Sequence, residues 1–331
     1  MPKARKKKAK SKKSKKGLKI FLLFFGLAVL TAFLSLLVNT LNKLVYESKY
    51  VQVNVDAEWG TPGQGPGQFL EPQDVATDAQ GNVYVSEFTG RRIQKFDPNG
   101  TFLLSIGKEG KDEGQFDQPS GLFVDGQGDI YVCDTFNHRI QKFDSTGEVL
   151  KVWSHGFFGP RSIVGTSQNR LYVADTGNHK IQVFDMDGNF LFEWGHFGTS
   201  NGMFREPVGV TADPQGNVYV ADSDNLRIQK FDANGKFLAA YKISTWKGKN
   251  DETPYLSFAN GFLYASNASH NAVLQLDASG KLTAIFQRKN DKAGFPAAAG
   301  VAVDGQNHVF VVEKGNGKIA RFTVPPAPLS K

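Results

Sequence analysis

A unit of roughly 45 residues recurs six times along this chain, and no other feature limits its fold as strongly. DVATDAQGNVYVSEFTGRRIQKFDPNGTFLLSIG (74–107) returns as GLFVDGQGDIYVCDTFNHRIQKFDSTGEVLKVW (121–153) and as SIVGTSQNRLYVADTGNHKIQVFDMDGNFLFEWG (162–195). It recurs as GVTADPQGNVYVADSDNLRIQKFDANGKFLAAY (209–241), then in eroded form at 258–286 and 300–322. The apolar residue before the central acid falls at Phe96, Phe143, Phe184, Phe231, Leu276 and Phe322, in steps of 47, 41, 47, 45 and 46. Each unit holds four short alternating or β-branched runs, near 74–78, 83–87, 92–97 and 101–107 in the first, split by turns such as AQGN and DPNG. Four strands at this period predict propeller blades, because a single blade cannot bury its own faces.

The sixth unit ends after its third strand, at Phe322. The missing strand is found at the other end of the domain, where NVDAEWG (54–60) matches NFLFEWG (189–195). The expected fold is therefore all-β: a six-bladed propeller of four-stranded blades over 51–323, closed by an N-terminal strand.

The repeats also decide the meaning of CDTFNHRIQKFDSTG (133–147), which crowds a thiol, two carboxylates, an imidazole and a guanidinium into one segment. The acid ending the second strand is Glu87, Asp134, Asp175, Asp222 and Glu313 in five blades. Five residues on stand Arg92, Arg139, Lys180, Arg227 and Lys318. The fifth blade has Asn267 and Ala272, so acid and base are lost together, and the two are expected to pair across the hairpin as a structural device. His138 and His179 align with Arg91, Leu226, Asn271 and Gly317, so no imidazole is required there. Cys133 aligns with Ser86, Ala174, Ala221, Ser266 and Val312, as a small core filler would.

Ahead of the repeats the chain has a different character. Residues 1–19 hold eleven Lys or Arg and no acid; the remainder carries 28 basic against 32 acidic residues. IFLLFFGLAVLTAFLSLLV (20–38) follows without a charge. As a helix it reaches about 28 Å, the thickness of a bilayer's hydrocarbon core. It exceeds a cleaved signal's apolar region, and no A-x-A-like site follows. The expectation is an uncleaved anchor over 20–38 with a Lys-rich cytoplasmic stub (1–19) contacting membrane lipids. A linker (39–50), an extracytoplasmic propeller and a Pro-rich tail (324–331) complete the chain. With one cysteine, no internal disulfide forms. Asn99 and Asn267 begin glycosylation sequons.

YVCDTFNHRIQKF and YVADSDNLRIQKF, together with the lead-ins GQFLEP, GQFDQP and GMFREP, resemble the NHL repeat. The resemblance spans about 51–323 and implies a six-bladed propeller that binds protein, peptide or glycan. The implied binding face carries the loops into each first strand and between the second and third strands. RNA is not expected for a net-acidic domain outside the membrane. Related propellers of the gluconolactonase and peptide-amidating lyase kind hold a channel metal on His or carboxylate side chains. Here the entrance positions are Gln73, Ser120, Arg161, Val208, Tyr255 and Ala299, which include neither. Asp74 is the lone nearby acid. No metal, cofactor or catalytic residue is expected, with a metal-dependent hydrolase or lyase of that related kind as the alternative, and the propeller is expected to be monomeric. The candidate ligand-binding residues are Phe88, Arg91, Phe136, Arg161 and Tyr255, although Phe88 and Phe136 also suit packing against a neighbouring blade. The insertion STWKGKNDETP (244–254) either contacts a partner or bridges the eroded blade.

Overall fold

The computed structural model describes residues 31–37, 49–247 and 253–324. Residues 31–37 are helical, and no described helix is long and apolar enough to cross a membrane. The expected stub, the rest of the 20–38 span, most of the 39–50 linker and almost all of the Pro-rich tail lie outside the described residues.

From residue 51 on, the chain forms six antiparallel sheets around one axis. The first blade is Pro72–Thr77, Val83–Glu87, Arg92–Phe96 and Phe102–Ile106, ordered from the axis outward. Its second strand is buried along its whole length, and the outermost strand alternates. That contrast explains why the second strand reads as a near-continuous apolar run. Blades two to four repeat the plan at 119–153, 160–194 and 207–242.

The sixth blade is closed from the other end of the domain. Ala57–Trp59 pairs antiparallel with Lys318–Thr323, with Ala57 opposite Arg321 and Trp59 opposite Ile319. Tyr50–Val53 adds something the repeat pattern did not anticipate, a fifth strand on the outer edge of blade five. Val53 is buried, accepts the Lys289 N–H at 2.8 Å, and packs with Phe286 and Phe322 between the last two blades. The N-terminal segment thus binds two consecutive blades.

At the axis the inner strands pack by alternation. The second residue past the lead-in position is Asp74, Gly121, Ser162, Gly209, Leu256 and Gly300 in turn. A Cβ on Gly121 would lie 2.5 Å from the Arg161 carbonyl and the Ser162 Cα. One on Gly300 would lie 2.6 Å from the Asp74 Cα. Small and larger residues therefore interlock where the strands converge. Two of the larger ones also tie blades together: Leu122 N donates to Asp74 Oδ2 at 3.2 Å, and Val210 N to Ser162 Oγ at 3.1 Å. Below this ring lies a channel cavity of about 260 Å³.

Candidate functional site

The top face, which carries the lead-in loops and the second-to-third-strand turns, is set by one polar network repeated from blade to blade. Asp134 is fully buried. Its Oδ2 accepts from Arg139 Nε at 2.7 Å, Asn137 Nδ2 at 2.9 Å and Gln141 Nε2 at 3.0 Å, and its Oδ1 accepts from Asp117 N at 2.8 Å. Burial pushes this carboxyl above the usual range, against the pull of the surrounding donors. Asp222 with Arg227 and Glu87 with Arg92 form the same pairs at 2.9 and 2.6 Å. Each Arg also reaches into the lead-in loop: Arg139 Nη2 donates to the carbonyls of Asp112 and Gln115.

The two remaining expected pairs are re-partnered. Lys180 bonds Glu193 at 2.8 Å, while Asp175 is satisfied by Asn178, Gln182 and Phe158 N. Lys318 meets Glu58, and Glu313 receives Arg288 Nε at 2.8 Å instead. Loop length accounts for the first change. Twelve residues join Ile106 to Pro119 and Trp194 to Pro207, but only six join Trp153 to Pro160. The long loops fold back on themselves in parallel bridges, Glu109 to Phe116 and Phe197 to Phe204. Blade three has no such loop to offer carbonyls, so nothing there calls for a guanidinium. Sequence reading also overlooked Gln94, Gln141, Gln182 and Gln229, which donate to the acid in four blades. The recurrent Gln in RIQKF was the available signal.

The six-residue shortening removes the loop wall between blades two and three, and a groove of about 300 Å³ stands there. Phe136 and Phe158 line it, 51% and 59% exposed. Both belong to segments that depart from the repeat: Phe136 sits where the other turns have Thr89, Gly177, Asp224, Ser269 and Gly315, and Phe158 comes from HGFFGP. Exposed as it is, Phe158 is held. Its N–H donates to Asp175 Oδ1, its carbonyl accepts from Gly177 N at 2.8 Å, and its ring stacks on His138 with centroids 5.4 Å apart. A Cβ on Gly177 would lie 2.2 Å from that ring, so only glycine fits beneath it. Gly159 N donates to His138 Nδ1 at 3.1 Å, which leaves the neutral imidazole with its proton on Nε2.

Four of the five candidate residues connect to this groove. Phe136 and Arg161 line it. Phe88 meets Phe136 edge-on at 6.1 Å, and Lys314 lies 5.7 Å from the Phe88 centroid. Tyr255 is buried, its hydroxyl donating to the Arg161 carbonyl at 3.3 Å, and burial drives its phenol pKa far up. Arg91 stands apart, paired with Glu109 and, at 3.7 Å, Asp117. The inserted Trp246 turns inward, with Nε1 donating to the Ser266 carbonyl at 3.3 Å, which fits a bridging role for the described part of that segment.

A family model for the NHL repeat matches residues 116–143, 159–184 and 204–231. This chain is a propeller that carries NHL repeats. Its NHL blades two, three and four are the ones matched; the first escapes the model but keeps the same network. No curated protein sequence matches the chain significantly. Among solved structures, the NHL propeller is similar to an inactive virginiamycin B lyase from Staphylococcus aureus with quinupristin, at 18% identity. That match covers 80% of this chain and 83% of the other, with a TM-score of 0.57. It is also similar to a chain of a nidogen/laminin complex, at 19% identity, over 70% of this chain and 84% of that one, with a TM-score of 0.56. At such identities the likeness concerns the fold.

Among the described residues, the channel entrance offers little to a catalytic metal. Asp74, beside it, is the one described carboxylate or imidazole there, and its two oxygens already accept the amides of Val75 and Leu122. Burial raises its pKa to about 8, which favours the neutral acid over the carboxylate that a cation would need.

Proposed function

We propose that the chain is a membrane-tethered recognition module, with residues 20–38 as a signal anchor behind the cytoplasmic stub 1–19 and the propeller outside the membrane, binding a protein, peptide or glycan through its top face. The observation that carries the binding half is the groove between blades two and three. Two large aromatic rings lie open to solvent there, yet at least one is fixed by hydrogen bonds, a ring stack and a glycine contact. Rings already in place spare a partner the ordering cost, and aromatic anchors dominate binding energy where they are desolvated. The tether rests on the basic stub beside an apolar span of bilayer length. Catalysis of the metal-lyase kind is disfavoured by the donor set at the channel entrance.

A photoreactive amino acid placed at Phe158 in the full-length chain, in its native membrane, tests the reading. A discrete adduct from that position, absent when the same probe replaces the outer-edge Leu150, is expected. Equal labelling from both positions would refute top-face recognition.

A further inference from the structure

The groove that supports the recognition reading also indicates what kind of chemical group it takes. Its floor and walls are aromatic: the phenyl rings of Phe136 and Phe158, and the imidazole of His138. At its axial end stands Arg161, half-buried, at the position where the other blades carry Gln73, Ser120, Val208, Tyr255 and Ala299. The backbone carbonyl of Arg161 is in use, accepting from Tyr255 and Ser120. Its guanidinium makes no hydrogen bond or ion pair among the described residues. Glu206 of the next lead-in feels its charge without reaching ion-pair distance, and burial keeps that carboxyl raised toward its neutral form. A second donor lines the same groove, the Nε2–H of His138, its tautomer set by Gly159.

A guanidinium without a partner among the described residues stands at one end of an aromatic slot. It suits an anion that can accept two parallel N–H bonds, which a carboxylate does. The volume, about 300 Å³, stands at the lower limit of ligand pockets and admits one ring-bearing residue rather than a chain segment. We infer that the groove binds an aromatic amino-acid residue through its ring and its free carboxylate, the ring between Phe136 and Phe158 and the carboxylate on Arg161. That inference rests on the top-face reading and narrows it. The same chemistry is offered by a free aromatic amino acid and by the C-terminus of a peptide ending in one.

Calorimetric titration of the full-length chain in nanodiscs tests it with four probes: N-acetylphenylalanine, its C-terminal amide, free phenylalanine and N-acetylalanine. The acetylated acid should bind at least about tenfold more tightly than the amide, and N-acetylalanine should not bind measurably. Arg161→Gln, which disturbs no side-chain hydrogen bond to a described residue, should abolish the acid–amide difference and leave amide affinity unchanged. Phe158→Ala should weaken both aromatic probes. Tighter binding of the acetylated acid than of free phenylalanine identifies a peptide end as the source; the reverse identifies the amino acid. Equal affinity for acid and amide in the unmodified protein overturns the inference. So does a difference that survives Arg161→Gln, or no binding of any aromatic probe to protein that melts normally. If those results coincide with crosslinking from Phe158, the ligand class falls while top-face recognition stands.

Discussion

The indole of Trp59 lies over Gly100. A Cβ on that glycine would come within 2.6 Å of the ring. Trp59 belongs to the strand that closes blade six, and Gly100 to the outer turn of blade one. The same relationship joins Trp153 to Gly188 and Trp194 to Gly235. At the seam of the ring, therefore, the borrowed strand does what an ordinary outer strand does elsewhere: it supplies a ring that covers the next blade's turn. Trp59 also meets Phe96 at 6.0 Å and Phe310 at 6.3 Å, across the same junction.

Trp59→Ala should thus cost about 3 kcal/mol of unfolding free energy, as a truncation at a packed aromatic junction. Removing 51–60 altogether should lower the stability of the whole propeller in one cooperative transition, since both blade six and the outer edge of blade five lose a strand. Chemical denaturation followed by tryptophan fluorescence measures both. A shortened chain whose midpoint matches the parent's would show that the N-terminal strands are decoration.

The base after the second strand should be interchangeable in one blade and not in another. Arg139→Lys keeps the charge but loses the two bonds to the Asp112 and Gln115 carbonyls. It should destabilise the protein by about 1–3 kcal/mol. Lys180→Arg meets no long loop and should change stability by under about 0.5 kcal/mol. Two denaturation curves decide this, and equal effects would separate the Arg requirement from loop length.

The global architecture could be read from the chain because strand alternation and turn residues recur at a fixed period, and both report directly on backbone geometry. The closing strand was legible for the same reason: AEW-Gly aligns with FEW-Gly. Tyr50–Val53 was not, because an added edge strand needs only backbone pairing and leaves no match in the repeat. The acid–base pairs held in three blades. They shifted in the others because a long side chain follows whichever partner the neighbouring loop places within reach. The groove was hidden for a different reason. Its signal is a deletion, the 41-residue step between Phe143 and Phe184, and what a deletion exposes becomes visible only once the neighbouring loops are seen to form a wall.

Asp74 should make stability fall as pH rises. Its carboxyl is buried among inner strands, and the folded state holds its proton up to about pH 8, against the ordinary aspartate value near 3.8. Between those values the native state binds the extra proton and the unfolded state does not. This group's contribution is therefore full below about pH 4, declines through the interval, and is gone above pH 8. The slope from this residue is at most about 1.4 kcal/mol per pH unit. Urea denaturation between pH 5 and 8.5 should show the decline, and Asp74→Asn, which keeps an acceptor without a titrating proton, should flatten it. An Asn variant with the parent's slope would assign the dependence to other groups.

Topology can be tested with the chain's own chemistry, because Cys133 is fully buried and its thiol pKa is driven up by that burial. The native protein should therefore be nearly silent to maleimides. Ser145 is exposed on an outer turn, on the face opposite the groove, and Ser145→Cys introduces a reactive site without touching the core. A membrane-impermeant maleimide applied to intact cells should label Ser145→Cys completely within the time that leaves the parent unlabelled. Ser11→Cys, in the basic stub, should label only after permeabilisation. The reverse pattern would put the propeller in the cytoplasm and the Lys-rich segment outside, against the expected action of its eleven basic residues on orientation. Labelling of both sites without permeabilisation would mean that the apolar span does not hold them on opposite sides of a bilayer.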